Sequence, residues 1–239
     1  MTTIGIDTSM AHTSACVIRE DGRAFSTVPP SAARLFEPPG HSAELLPTLD
    51  ALLIESETDW ADVGSIAVGV GPGTFTGLRI GVASARALGQ ALGIGLRPVS
   101  SLQSLAAGCA SILGPDRPVL ALIDARRKEV FAGLYRSPAG VDRTPAAEWP
   151  PFVVRPEELL SRIGGLAQRP LAVGDWALES RSMLETAGAE VSPDDSGVHA
   201  VNATHVCRLA LEVEPVDPDQ VEPVYLRLPD AEINRRKAG

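Results

Sequence analysis

The chain has 239 residues, 44% of them hydrophobic and 21% charged, which is enough apolar material for one large or two modest globular domains. A formal net charge of −9 repels phosphate backbones and argues against a chain that grips nucleic acid on its own. No stretch approaches a membrane helix, the opening residues carry no leader pattern, and Cys16, Cys109 and Cys207 read as free thiols of a reducing compartment, so the expectation is cytoplasmic.

The short apolar run Ile4–Ile6 ends in Asp7-Thr8-Ser9, and Ala15–Ile18 forms a second run. Asp21-Gly22 is a hairpin signal, and an extended piece follows near Ala24–Val28, so the chain opens strand–turn–strand–turn–strand. Pro29, Pro30, Pro38 and Pro39 mark a loop. Ser42–Ile54 is a helix, with Leu45, Leu46, Leu49, Leu52 and Leu53 on one stripe. Ser42 is the expected N-cap, and Pro47 predicts a kink or a frayed start.

Trp60 and Asp62 lie in the connection to the buried strand Ile66–Val70, which runs through Gly71-Pro72-Gly73 into a helix over Thr74–Leu92. Within that helix Gly77, Gly81, Ala85, Gly89 and Gly93 recur at every fourth position and draw one row almost without side chains. Glycine inside a helix costs about 0.5–1 kcal/mol relative to alanine, so the row needs a closely packed partner. That partner is either the chain's own sheet or a second helix. Arg79 and Arg86 share a face, as solvated charges or as a pair aimed at a partner's acidic group.

Leu96–Val99 is a short strand and Ser101–Ile112 a helix, and Gly114-Pro115-Asp116 marks a boundary. Val119–Asp124 and Glu129–Tyr135 are strands around the turn Ala125–Lys128. The opening pattern I-G-I-D, turn, A-C-V-I returns here as A-L-I-D, turn, F-A-G-L-Y, which suggests two related halves. Pro138–Pro156 reads as an irregular excursion and Glu157–Ile163 as a short helix. Leu171–Val173 and Ala189–Val191 are strands, with a helix Leu178–Ala187 between them. Val206–Glu212 is the last helix, Val221–Leu228 is extended, and Arg235-Arg236-Lys237 belongs to a disordered end.

Few residues carry the marks of chemistry. Gly71-Pro72-Gly73-Thr74 lacks the lysine and hydroxyl of a P-loop, and Pro72 removes an amide donor. It reads as a strand-to-helix turn capped by Thr74 or Thr76. Asp7-Thr8-Ser9 is similar to the phosphate hairpin of actin-like and sugar-kinase ATPases but lacks its glycine, as does Asp124-Ala125-Arg126. Asp7, Thr8 and Ser9 are therefore candidates for a degenerate nucleotide site. His12, His41, His199 and His205 show no H-x-x-x-H or H-E-x-x-H spacing, and there is no G-x-S-x-G, so no metal ligand and no catalytic residue is assigned.

The segments I-D-T-S at Ile6–Ser9, G-P-G-T-F-T-G-L-R-I-G at Gly71–Gly81, I-D-A-R at Ile123–Arg126 and P-V-Y-L-R at Pro223–Arg227 resemble the TsaB (YeaZ) family, in order and along nearly the whole chain. The resemblance implies an α/β, two-lobed actin-like ATPase (ASKHA, RNase H-like) fold with mixed sheets flanked by helices. One lobe would take residues 1–100 with 206–239, and the smaller lobe 101–205. It implies a non-catalytic subunit of the machinery that makes N6-threonylcarbamoyladenosine at position 37 of tRNAs reading ANN codons. Such a subunit docks onto the catalytic paralogue TsaD, which holds the metal, and the ATPase TsaE joins them. It reaches tRNA only through the complex, requires no cofactor of its own, leaves room for ATP or ADP at the partner interface, and can pair with a second copy when isolated. In the family the two helices make the dimer contact, here read as His41, Leu45, Leu49, Leu52, Phe75, Leu78, Arg79, Gly81, Val82, Ala85, Arg86 and Gly89. The competing expectation is a stand-alone weak nucleotide hydrolase or a glycoprotease-like (M22) peptidase.

Overall fold

The apolar runs resolve into two five-stranded mixed sheets in the computed structural model, which describes residues 1–113, 117–136 and 144–227. Strands β1 (Thr2–Asp7), β2 (Ser14–Ile18) and β3 (Ala24–Ser26) form an antiparallel meander, with Gly22 supplying a positive φ of 84° in the second turn. Helix α1 (His41–Glu55) leads to β4 (Val63–Gly71), and helix α2 (Phe75–Leu92) crosses from β4 to β5 (Leu96–Ser100). Both of these strands add in parallel, giving the order β3-β2-β1-β4-β5.

After α3 (Ser101–Leu113) the same plan is repeated. Strands β6 (Val119–Arg126), β7 (Glu129–Arg136) and β8 (Ala146–Val154) form a second antiparallel meander. Helix α4 (Pro156–Gly164) leads to β9 (Leu171–Val173). The crossover is made by two short helices, α5 (Asp175–Glu179) and α6 (Arg181–Thr186), before β10 (Glu190–Val191). The order β10-β9-β6-β7-β8 matches the first sheet strand for strand, so the repeat suggested by I-G-I-D and A-L-I-D is a repeat of topology.

The last helix, α7 (Ala203–Ala210), packs on the first sheet, whereas α3 packs on the second, and the two helices pack on each other. Cys16, Ala67, Leu102, Leu105, Ala121 and Cys207 form one continuous core there. On the far side of the first sheet, α1 and α2 seal Ile4, Ile6 and Val68 under Leu45, Leu49, Val82 and Ala85. The far side of the second sheet is covered by Leu159, Ile163, Trp176 and Leu184.

Several expectations are corrected. Residues 146–154 of the supposed irregular excursion are strand β8, paired antiparallel with β7. It lies at the sheet edge, where Pro150 and Pro151 can leave a row without donors. The single helix expected over Leu178–Ala187 is two, interrupted at Ser180. Ser42 lies inside α1, whose N-cap is Gly40, and the helix runs through Pro47 without interruption. Thr74 occupies the N-cap position of α2, but its hydroxyl makes no capping bond. Helix α7 starts at Ala203, where the Asn202 side chain accepts from Thr204 N at 2.8 Å. No strand is assigned to residues 221–227. Gly114-Pro115-Asp116, residues 137–143, Leu228 and the basic end at Arg235-Arg236-Lys237 lie outside the described residues.

Candidate functional site

Asp7 ends β1 in the interior, 1% exposed. Its Oδ1 accepts from Ser9 N at 2.9 Å and from Ser9 Oγ at 2.6 Å, and its Oδ2 accepts from Ser101 Oγ at 2.7 Å. Burial raises the pKa of this carboxyl above its ordinary value, and the bonds from Ser9 and Ser101 oppose that rise. Room for the carboxylate comes from Gly69, where an added Cβ would fall 1.8 Å from Oδ2.

The rest of the turn is held down by α2. Thr8 Oγ1 donates to Gly77 O at 2.7 Å, and Thr74 N donates to Ser9 O at 2.8 Å. A Cβ at Gly77 would lie 2.0 Å from Thr8 O, and one at Gly81 would lie 2.2 Å from Thr8 Oγ1. The glycine row therefore has its close partner within this chain. It is the Asp7-Thr8-Ser9 turn, with Leu96, Ile94 and Pro218 further along at Gly89. Thr8 and Ser9 are both fully buried, so the residues expected to face a nucleotide face the chain's own backbone and hydroxyls.

The matching place in the second half is more open. Asp124 Oδ1 accepts from Arg126 N at 2.7 Å, and Oδ2 lies 3.1 Å from the Arg126 guanidinium. Behind it, Asp175 Oδ1 accepts from Asp124 N at 3.0 Å and from Trp176 N at 2.7 Å. Burial pushes Asp175 up to about 6, with those two backbone bonds opposing. Asp175 was not picked out as a site residue from sequence, because its neighbour across 51 positions is invisible there.

Among the described residues no group of three or more histidine, cysteine or acidic side chains is arranged to hold a metal ion. The three cysteines are buried and free. Burial, helped by Arg34, lowers His12 to about 4, and burial beside Arg208 lowers His205 to about 4. His41 Nδ1 lies 2.8 Å from Thr13 Oγ1, which donates to Glu44 Oε2 at 2.9 Å. No described helix is long and apolar enough to cross a membrane.

The helices α1 and α2 pack side by side, but most residues read as partner contacts turn inward. His41, Leu45, Leu49, Leu52, Leu78, Gly81, Val82, Ala85 and Gly89 are all buried within this chain. The physical reason is periodicity: the most apolar stripe of an amphipathic helix covers the sheet beneath it. The outward face carries Leu46 at 50%, Ile54 at 79% and Phe75 at 36% exposure. Leu46, expected on the leucine stripe, turns outward instead: it and Ile54 each follow a buried leucine, Leu45 and Leu53, by one residue, about 100° further around the helix. Of the residues named, Phe75, Arg79 and Arg86 reach this outer surface. Arg86 pairs with Asp219 at 3.2 Å, and Arg79 Nε donates to Tyr225 Oη at 3.1 Å. The partners Asp219 and Tyr225 come from the C-terminal segment and were not anticipated.

Comparison with known proteins agrees with this architecture. The family model described as "TsaD: tRNA N6-adenosine threonylcarbamoyltransferase" matches residues 27–161. The chain is 30% identical to the tRNA threonylcarbamoyladenosine biosynthesis protein TsaB of Bacillus subtilis (strain 168), over 97% of this chain and 96% of that one. It is 32% identical to the protein of the same description from Escherichia coli (strain K12), over 80% of this chain and 82% of that one. The solved structure of YeaZ from Pseudomonas aeruginosa is 28% identical and superposes with a TM-score of 0.76, covering 94% of this chain and 99% of the other. The duplicated meander-and-crossover plan is the two-sheet arrangement of the actin-like (ASKHA) fold. The chain belongs to the TsaB (YeaZ) family.

Proposed function

We propose that this chain is a non-catalytic docking subunit in the biosynthesis of N6-threonylcarbamoyladenosine in tRNA. It binds the TsaD-type catalytic paralogue through the outer face of α1 and α2, with the TsaE-type ATPase joining the pair in the cytoplasm. The single observation that carries this reading is the sealed Asp7 turn. Both of its carboxylate oxygens are taken by Ser9 and Ser101, and the helix that would border a phosphate site lies on the turn itself. General acid–base or phosphoryl chemistry needs a group that can reach a substrate, and Asp7 at 1% exposure cannot. Support for docking comes from Leu46 and Ile54, large apolar side chains left in water on the helix pair. In this scheme the chain needs no cofactor of its own, any ATP or ADP sits between it and the catalytic paralogue, and tRNA is met only in the complex. When isolated, the same face pairs two copies of the chain.

The test is to mix the chain with its TsaD-type partner and follow the complex by size-exclusion chromatography, with tRNA modification assayed in parallel. Leu46→Glu and Ile54→Glu leave the buried stripe untouched, so the chain should fold normally and lose both complex and modification. Undiminished assembly by both variants would overturn the docking surface. ATP turnover by the isolated chain that disappears in Asp7→Asn would favour the hydrolase instead.

A further inference from the structure

We propose that Arg79 is a preset receptor for an aspartate or glutamate side chain of the docking partner, held in position by the C-terminal segment. This rests on the docking role above and adds to it the chemistry of one contact. The Arg79 guanidinium carbon lies 3.8 Å from the centroid of the Phe75 ring, a stacked geometry. Phe75 in turn packs against Tyr225, with ring centroids 5.2 Å apart. The Nε of Arg79 donates to Tyr225 Oη at 3.1 Å. The two terminal nitrogens, the fork that matches a carboxylate with two parallel bonds, have no hydrogen-bond or ion-pair partner among the described residues.

One turn-pair further along the helix the situation differs. Arg86 is met by Asp219 at 3.2 Å, and the same Oδ1 accepts from Gln90 Nε2 at 2.7 Å. The chain carries 30 acidic against 21 basic residues, so Arg79 does not lack a partner through any shortage of carboxylates. Tyr225 is itself fixed, because Val224 N before it donates to Val70 O at 2.8 Å and Arg227 Nη1 after it donates to Ala125 O at 2.6 Å. Holding an arginine flat in advance removes rotamer freedom before the partner arrives, and less is then lost on binding.

Arg79 lines a groove of about 690 Å³ between α2 and the C-terminal segment, together with Val82, Ala83, Arg86, Ala87 and Glu222. The small apolar wall suits a protein side chain, and with Arg86 paired to Asp219 and Glu222 also in the lining, the single open guanidinium matches a singly charged carboxylate better than a multiply charged phosphate. The occupant is therefore a carboxylate carried on a protein surface.

Affinity for the TsaD-type paralogue, measured by calorimetry at two salt concentrations, tests the assignment. In Arg79→Ala the affinity should fall on the order of tenfold to a hundredfold, with much of its salt dependence lost and the melting temperature unchanged. Tyr225→Phe keeps the ring stack and loses only the bond to Nε. It should weaken binding about threefold in the wild-type background and not at all in the Arg79→Ala background, the non-additivity expected of a positioning residue. In the R79K variant, a water-soluble carbodiimide should join the new amine to an aspartate or glutamate of the paralogue as an amide, located by mass spectrometry. Wild-type affinity in Arg79→Ala, or a cross-link formed only between two copies of this chain, overturns the proposal and leaves the docking role standing. Loss of inorganic phosphate or ATP binding in Arg79→Ala with partner affinity intact overturns it in favour of a phosphate site. A wild-type chain that binds no paralogue overturns the docking role itself, and this contact with it.

Discussion

The two halves share a strand order and differ at the turn that follows their first strand. In the first half Asp7, Thr8 and Ser9 are between 0% and 1% exposed, beneath the start of α2. In the second half the matching Asp124 is partly exposed and Ala125 buried, while Arg126, with Arg127 and Lys128 after it, is exposed at the hairpin tip, with φ values of 63°, 52° and 62°. The difference follows from the crossover that comes after the fourth strand of each half. In the first it is one helix of 18 residues whose glycines let its backbone descend onto the turn. In the second it is a pair of helices of 5 and 6 residues, and among the described residues no long helix comes down on the tip. A buried aspartate at a strand end can thus be sealed by its own chain: small residues on the neighbouring helix bring that helix down onto the turn, and hydroxyls satisfy the carboxyl group.

The strongest way to break this account is at Gly77. In Gly77→Ala the new methyl would stand 2.0 Å from the Thr8 carbonyl oxygen, a backbone atom that cannot swing away, and 2.5 Å from the Thr74 hydroxyl. A loss of about 3 kcal/mol is expected in denaturant unfolding. Gly81→Ala meets a rotatable hydroxyl instead, at 2.2 Å, and should lose less. A Gly77→Ala variant as stable as the parent would show that the glycine row does not set the closure.

The buried carboxyls sharpen the comparison through pH. Asp175 has a folded pKa of about 6 against an ordinary 3.8, so between these values the folded state binds more protons than the unfolded state. Stability from this group is therefore greatest below about pH 4, falls as pH rises to about 6, and stays lower above, by on the order of 2–3 kcal/mol. Asp175→Asn keeps one oxygen for the amides of Asp124 and Trp176 and removes the titration. Melting temperatures from pH 4 to pH 7 should be flatter in the variant, and higher than the parent's at pH 7. An unchanged pH profile would mean that Asp175 is not the group responsible. In the first half, Ser101→Ala removes one of the donors to Asp7 and should cost about 1–2 kcal/mol at pH 7.

Much of this fold was readable in the order of residues, because each strand and long helix carries its own apolar period. The leucine stripe of α1, less Leu46, and the small row of α2 stand on their helices where expected. What the stripe faces was not readable, since a helix packed on its own sheet and a helix packed on a partner have the same pattern. The position of the Asp7 turn was likewise plain, but its closure depends on Gly69, Gly77 and Ser101, which come to it from three different elements. Strand β8 was missed because Pro150 and Pro151 argue against a strand until the edge position is known. Tyr225 and Asp219 were missed because contacts of the final segment with α2 span 146 and 133 positions.

The smallest effect is expected where the second half leaves space. Gly164 ends α4, and the nearest atom to an added Cβ is Ala187 O at 3.9 Å, an ordinary contact. Its φ is not in the left-handed region, so alanine fits the backbone as it stands. Alanine there lowers the entropy of the unfolded chain and favours the helix, so Gly164→Ala should stabilise the protein by about 0.5 kcal/mol. The melting temperature should rise by roughly 1–2 °C for a chain of this size. The same chemical change therefore has opposite signs in the two halves, and the sign is set by whether a backbone already occupies the place of the methyl. If Gly164→Ala destabilised the protein as Gly77→Ala should, the approach of the Thr8 carbonyl would have to be abandoned as the dividing factor, and the contrast between a closed and an open half would lose its physical basis.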